Sequence, residues 1–215
     1  IADQALALGY PMIKLHAFGN AKRDAELCLA LRAHVGPDVE LMYDGSAAFD
    51  LQDAVYLGHA LDEANYLWYE EPMREFSVTA YKWLGERVRV PLLLGEVTDG
   101  SHMNAGDFVA TGVATSLRTS TFLKGGFTGA MRIAHLADAY HLRAEVHGMG
   151  LESAHLCMAI KNTTAYESLV WGNPIKREAL VHADGHVHAP TAPGVGFESL
   201  WQENGTPKGL EKYVK

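Results

Sequence analysis

Two hydrophobic periods take turns along this chain. Pro11-Met12-Ile13-Lys14-Leu15-His16 reads as a short buried strand, preceded by helical spacing over residues 2–9. A 3.6-residue period follows from Ala21 to Val35, with Ala25, Leu27, Cys28, Ala30 and Leu31 on its apolar side, and Gly36-Pro37 stops it. The chain is extended again over 39–44 and helical over 51–63. Further strands are expected at 66–70, 91–96, 114–120 and 143–147, separated by helices at 78–88, 106–111 and 129–140.

Apolar strands alternating with amphipathic helices imply an α/β fold with a parallel sheet covered by helices. A doubly wound sheet and a closed barrel both satisfy that pattern. The strand ends separate them. Polar side chains close the strands at positions 16, 44, 70, 96, 120 and 147, at intervals of 28, 26, 26, 24 and 27 residues. A (β/α)8 barrel draws its site from the carboxyl ends of many strands, whereas an open sheet concentrates ligands at one switch point. The expectation is a TIM barrel.

Three successive strand ends are acidic: Asp44, Glu70 and Glu96. Neighbouring barrel strands would bring these carboxylates to one point, where like charges disfavour ionisation. A hard divalent cation resolves the conflict, and an all-oxygen set suits Mg²⁺. Taken singly, such a carboxylate is more simply a helix cap or the partner of a surface base. His147 on one side and Lys14 and His16 on the other would flank the triad as proton-transfer groups. That layout suits abstraction of a proton α to a carboxylate.

Lys14-Leu15-His16, Tyr43-Asp44, Tyr69-Glu70-Glu71-Pro72, Gly95-Glu96, Lys124-Gly125-Gly126-Phe127-Thr128-Gly129 and Val146-His147 occur in an order that resembles the enolase superfamily, mandelate racemase subgroup. The likeness extends to Ala192-Pro193-Gly194-Val195-Gly196. It implies that Asp44, Glu70 and Glu96 hold Mg²⁺, that His147 is a general acid or base, and that Glu167 is an electrophilic acid near the substrate carboxylate. Two positions depart from the pattern. His16 stands where the family's usual catalytic lysine stands, with Lys14 on the same strand face as a fallback base. Ser120 replaces the aspartate that orients the histidine at position 147. The resemblance begins at the family's second barrel strand, so a fragment is expected, lacking the first strand and the N-terminal capping domain. Residues 1–175 would form the partial barrel and 176–215 a C-terminal hairpin and tail packing back on it.

Composition narrows the partners. Lys+Arg 18 against Asp+Glu 26 in 215 residues gives a net charge of -8, which argues against nucleic acid or an anionic membrane. No apolar run reaches the roughly 18 residues of a membrane span, and Cys28 and Cys157 lie in apolar helical patterns as buried thiols. A cytoplasmic homo-oligomer acting on a small-molecule carboxylate is expected. His182, Asp184, His186 and His188 have zinc-like spacing, but Asp184-Gly185 is a turn dipeptide and the histidines alternate with Val181 and Val187, so a hairpin is preferred. The last prediction from residues alone is a buried pair between Arg118 and Glu145, which share the inward face of adjacent strands. The readings of function are three: a Mg²⁺-dependent acid-sugar dehydratase, a racemase, epimerase or cycloisomerase using the same half-reaction, and a catalytically silent metal-binding barrel. Dehydration needs one base and one acid, so it tolerates Ser120 better and is preferred.

Overall fold

A computed structural model describes residues 1–168 and 186–196. Its elements run α1 (Ala2–Ala7), β1 (Met12–His16), α2 (Ala21–Val35), β2 (Glu40–Asp44), α3 (Leu51–Glu63), β3 (Trp68–Glu70) and α4 (Val78–Gly85). They continue as β4 (Leu92–Leu94), α5 (His102–Ala110), β5 (Ser116–Thr119), α6 (Gly126–Ala139), β6 (Arg143–Val146) and α7 (Leu151–Ala159). Local chemistry sets the sharpest boundaries. The Asn20 side chain accepts from the Arg23 N–H to start α2, and Gly36, at φ +79°, ends it. Asp50 accepts from the Asp53 N–H at the start of α3, and Ser77 from the Ala80 N–H at the start of α4. Helix α5 begins earlier than its apolar spacing suggests, and Ser101 makes no side-chain cap bond there.

All six strands are parallel, in the order β1-β2-β3-β4-β5-β6. They curl into a half-barrel of the kind expected, wrapped by helices. The curl brings the two ends of the described fold together: Lys14 on β1 forms an ion pair with Glu167, and the Tyr10 hydroxyl lies 3.1 Å from Ser168 Oγ. Register is set by alternation. Leu41, Tyr43, Tyr69, Leu92, Leu94, Leu117, Ala144 and Val146 face outward into the main apolar core beneath the helices. Met42, Trp68 and Leu93 face inward and form a separate small cluster with Met12 and Leu67, which floors the barrel. Above that floor, Asp44 pairs in register with His16 on one side and with Glu70 on the other.

Two expectations need correction here. Strand β4 ends at Leu94, so Glu96 is not a strand residue; Gly95, at φ +102°, turns the chain before it. Arg118 and Glu145 are partners in register and both are buried, yet they do not pair. Glu145 is satisfied instead by the Thr164 N–H at 3.0 Å and by the hydroxyls of Thr163 and Thr164. Those residues belong to the segment beside β6, where the Ala144 N–H donates to the Asn162 carbonyl. The expected hairpin at Asp184-Gly185 lies outside the described residues. From 186–196, Val187 and Ala189 pack on Leu151 and Ala154 of α7. Cys28 is buried, Cys157 is half-buried, and both are free thiols. Among the described residues no helix is long and apolar enough to cross a membrane.

Candidate functional site

The site sits above the inner floor, at the carboxyl ends of the strands. Inward alternation supplies Asp44 directly above Met42 and Glu70 directly above Trp68. Gly45 lets their two turns touch, since a Cβ there would lie 2.7 Å from Pro72 Cα and 2.9 Å from the Glu71 carbonyl oxygen. With Glu96 swung in by the turn at Gly95, Asp44, Glu70 and Glu96 each offer an oxygen, all within 4.8 Å of one another. The three carboxylates singled out in the sequence are therefore brought together.

Basic side chains ring this cluster. Lys14 Nζ lies 3.2 Å from Glu70 Oε2 and 3.4 Å from Asp44 Oδ2, and it is ion-paired with Glu167. Arg118, fully buried, places Nε 2.6 Å from Glu70 Oε1 and 3.6 Å from Glu96 Oε2, and Nη2 against Glu167. His147 Nδ1 lies 2.9 Å from Glu96 Oε1. His16 stands further out, its side chain 65% exposed against 15% for Lys14, with Nε2 3.3 Å from Asp44 Oδ2 and Nδ1 3.0 Å from Ser46 Oγ. Ser46 holds Asp44 Oδ1 through its N–H at 2.8 Å, leaving Oδ2 turned toward the cluster.

These surroundings divide the carboxylates. Burial pushes Glu70 up to about 8, with Asp44 and Glu167 adding to the push while Arg118 and Lys14 oppose it. Burial acts the same way on Glu96, but contact with His147 outweighs it and carries the group down to about 2. Glu167 is likewise drawn well below the carboxylate range, because Arg118 and Lys14 outweigh its burial. Burial and Arg118 both oppose the charge on Lys14, yet Glu70, Glu167 and Asp44 together raise it above the ordinary amine value.

The donor set fits a hard divalent cation. It consists of oxygen alone, and its members lie close enough to share one ion.

Residues 1–203 match the family described as Enolase C-terminal domain-like. The chain belongs to that family. A D-galactonate dehydratase family member from Streptomyces bingchenggensis is 29% identical over 181 residues, covering 79% of this chain and 43% of its own length. L-talarate/galactarate dehydratase from Salmonella typhimurium is 27% identical over 83% of this chain and 44% of its own. Relatives of similar identity carry cycloisomerase and racemase names. Among solved structures, D-glucarate dehydratase from Agrobacterium tumefaciens, complexed with magnesium, superposes with a TM-score of 0.79 at 33% identity, covering 87% of this chain and 53% of that one. The chain thus spans about half the length of these relatives. The enolase-type resemblance read from the sequence is correct, and so is the barrel.

Sequence reasoning missed Arg118 as a site residue. Alternation places it on the inward face beside Glu145, but Glu145 is taken by Thr163 and Thr164, which no strand pattern brings there. Ser120 lies in the neighbouring turn, where its hydroxyl accepts from the Phe122 and Leu123 N–H groups at 3.1 and 3.2 Å. It caps that turn. Glu96 is the contact His147 makes instead.

Proposed function

We propose that this chain carries the site of a Mg²⁺-dependent dehydratase of acid sugars. The observation that carries the reading is the convergence of Asp44, Glu70 and Glu96 between Lys14 on one flank and His147 on the other. Mg²⁺ held by these three carboxylates would supply Lewis-acid stabilisation of the charge that a substrate carboxylate gains as its α-proton leaves. The protein's own groups move the protons. Lys14 takes the α-proton, since its amine lies at the cluster while His16 is largely exposed and tied to Asp44 and Ser46. In this structure Glu70, Glu167 and Asp44 hold Lys14 protonated, and neutralising them loosens that proton, as a general base requires. Glu167 is a positioning residue that acts through Lys14. His147 gives a proton to the β-hydroxyl, which leaves as water, and the resulting enol tautomerises to a 2-keto acid.

Racemisation by the same site needs competent bases on both faces of the α-carbon. His147 has Glu96 beside it where a dedicated aspartate would stand, and Ser120 is occupied in its turn. This favours elimination, where His147 acts once as an acid. The substrate partner is a small carboxylate rich in hydroxyls, with a homo-oligomer as the working form. Screening aldonic and aldaric acids with added Mg²⁺ for 2-keto product tests the reading. Exchange of the α-proton with deuterated solvent, without 2-keto product, would move the function to the racemase or cycloisomerase side. No exchange and no product would leave a silent metal-binding barrel.

A further inference from the structure

Strand alternation by itself would turn Glu96 away from the site. Leu92 and Leu94 face outward into the helix-side core and Leu93 faces inward, so an unbroken strand would carry position 96 outward with them. Gly95 breaks that alternation at φ +102°, and the chain over 95–98 bends inward as an irregular turn. A turn of this kind has no sheet ladder to fix it.

Three buried charged residues hold it instead. Glu75 accepts from the Gly95 N–H at 2.5 Å through Oε1 and from the Thr98 hydroxyl through Oε2, so one carboxylate grips the residues on both sides of Glu96. Glu71 Oε1 accepts from the Val97 N–H at 2.9 Å. Lys124, only 3% exposed, donates from Nζ to the Thr98 carbonyl at 2.9 Å. The turn carrying Lys124 is itself packed tightly, because a Cβ on Gly129 would fall 1.5 Å from the Lys124 carbonyl oxygen. None of the three touches Asp44 or Glu70 by hydrogen bond or ion pair among the described contacts, and none belongs to the site described above. Burying such groups is costly unless they are mutually satisfied, and a grip on one four-residue turn is what these contacts share.

We infer that Glu75, Lys124 and Glu71 are positioning residues that hold Glu96 in the metal-binding orientation. The inference rests on the proposed metal site and adds the residues that build its third ligand. Its consequence is specific: loosening this network weakens metal affinity through Glu96 while Asp44 and Glu70 stay in place on their strands.

Isothermal titration with MgCl₂ tests it, with thermal melting of the ion-free protein alongside. The parent should bind one Mg²⁺. Glu75→Gln and Lys124→Met should each weaken binding by about 10–100-fold, the usual effect of losing a partner that orients a ligand. Thr98→Val, which removes one hydroxyl and preserves the fold, should weaken it severalfold in the same direction. Asp62→Ala, which loses the acceptor of the Arg89 N–H far from the site, should lower the melting temperature and leave affinity unchanged. Binding within twofold of the parent for Thr98→Val and for either charged-residue variant would overturn the inference while sparing the metal site. A parent that takes up no Mg²⁺ would overturn both.

Discussion

His147 and Glu96 are joined across the site: Nδ1 of the imidazole lies 2.9 Å from Oε1 of the carboxylate, although Ser120 follows the strand between them. The orienting carboxylate of this histidine is therefore also a member of the acidic cluster. In the related pattern an aspartate at the Ser120 position does that work separately. Under the proposed function, sharing one carboxylate would tie the placement of the proton-transfer group to that of the metal ligand.

Substitutions should separate the two residues. Ser120→Ala removes an acceptor that serves only the Phe122 and Leu123 N–H groups, so it should cost about 1 kcal/mol of stability and change turnover by less than about threefold. His147→Asn should lower kcat on an acid-sugar substrate by about 10²–10⁴ if it delivers the proton. Steady-state kinetics on both proteins, with melting curves as the stability control, decide the matter. A Ser120→Ala loss as deep as that of His147→Asn would restore Ser120 to the catalytic pair.

The metal set predicts a graded response. Asp44→Asn and Glu96→Gln should each abolish or greatly weaken Mg²⁺ uptake in calorimetry, since each removes one of three anionic oxygens. Asp44→Asn should also weaken the hold on His16, which lies against Oδ2, while Lys14 keeps Glu70 and Glu167. Unchanged Mg²⁺ affinity in Glu96→Gln would remove that residue from the set.

Arg118 predicts the largest stability effect. It is fully buried and in contact with Glu70 and Glu167, so Arg118→Met strands at least one buried carboxylate and should cost about 3–5 kcal/mol. Glu145→Gln should cost less, because the amide oxygen can keep one of the Thr163 and Thr164 donors. Chemical denaturation of the two variants measures the difference. Equal losses would mean that the two residues share one network after all.

How much of this was legible beforehand follows from where alternation holds. Asp44 and Glu70 lie on regular strands, so parity and register delivered them to the site. Helices α2 and α3 were read with their observed bounds, because Asn20, Gly36 and Asp50 mark the ends chemically. Glu96 was chosen for its even spacing, although its parity was the outward one. Only the backbone at Gly95 reconciles the two, and no periodicity reports a positive φ. The partner of Arg118 was illegible for another reason. Glu70, Glu96 and Glu167 share that guanidinium, and a fourth acid, Glu145, adjacent in register, is satisfied instead by threonines more than fifteen residues further along the chain. Lys124 was read as a loop residue, and nothing in a Lys-Gly-Gly run announces that its amine is buried.

The last prediction concerns acid. In the folded chain Arg118 and Lys14 draw the Glu167 carboxyl well below its ordinary value of 4.5, outweighing the opposing effect of burial. The folded state therefore binds fewer protons at this residue than the unfolded state does. Such a group contributes stability that is fully present above the unfolded pKa and is lost as pH falls below about 4.5 toward the folded one. Glu167→Gln removes that contribution at neutral pH and has nothing further to lose in acid. Its melting temperature should lie below the parent's at pH 7, and the two curves should converge as pH is lowered toward about 3. Glu96, held near 2 by His147, steepens the acid limb of both proteins alike, so the difference between the curves reports Glu167. Melting measured from pH 7 to pH 3 gives the answer. Parallel curves over that range would show that the contacts of Glu167 with Lys14 and Arg118 contribute no charge-dependent stability, and its role in positioning Lys14 would fall with them.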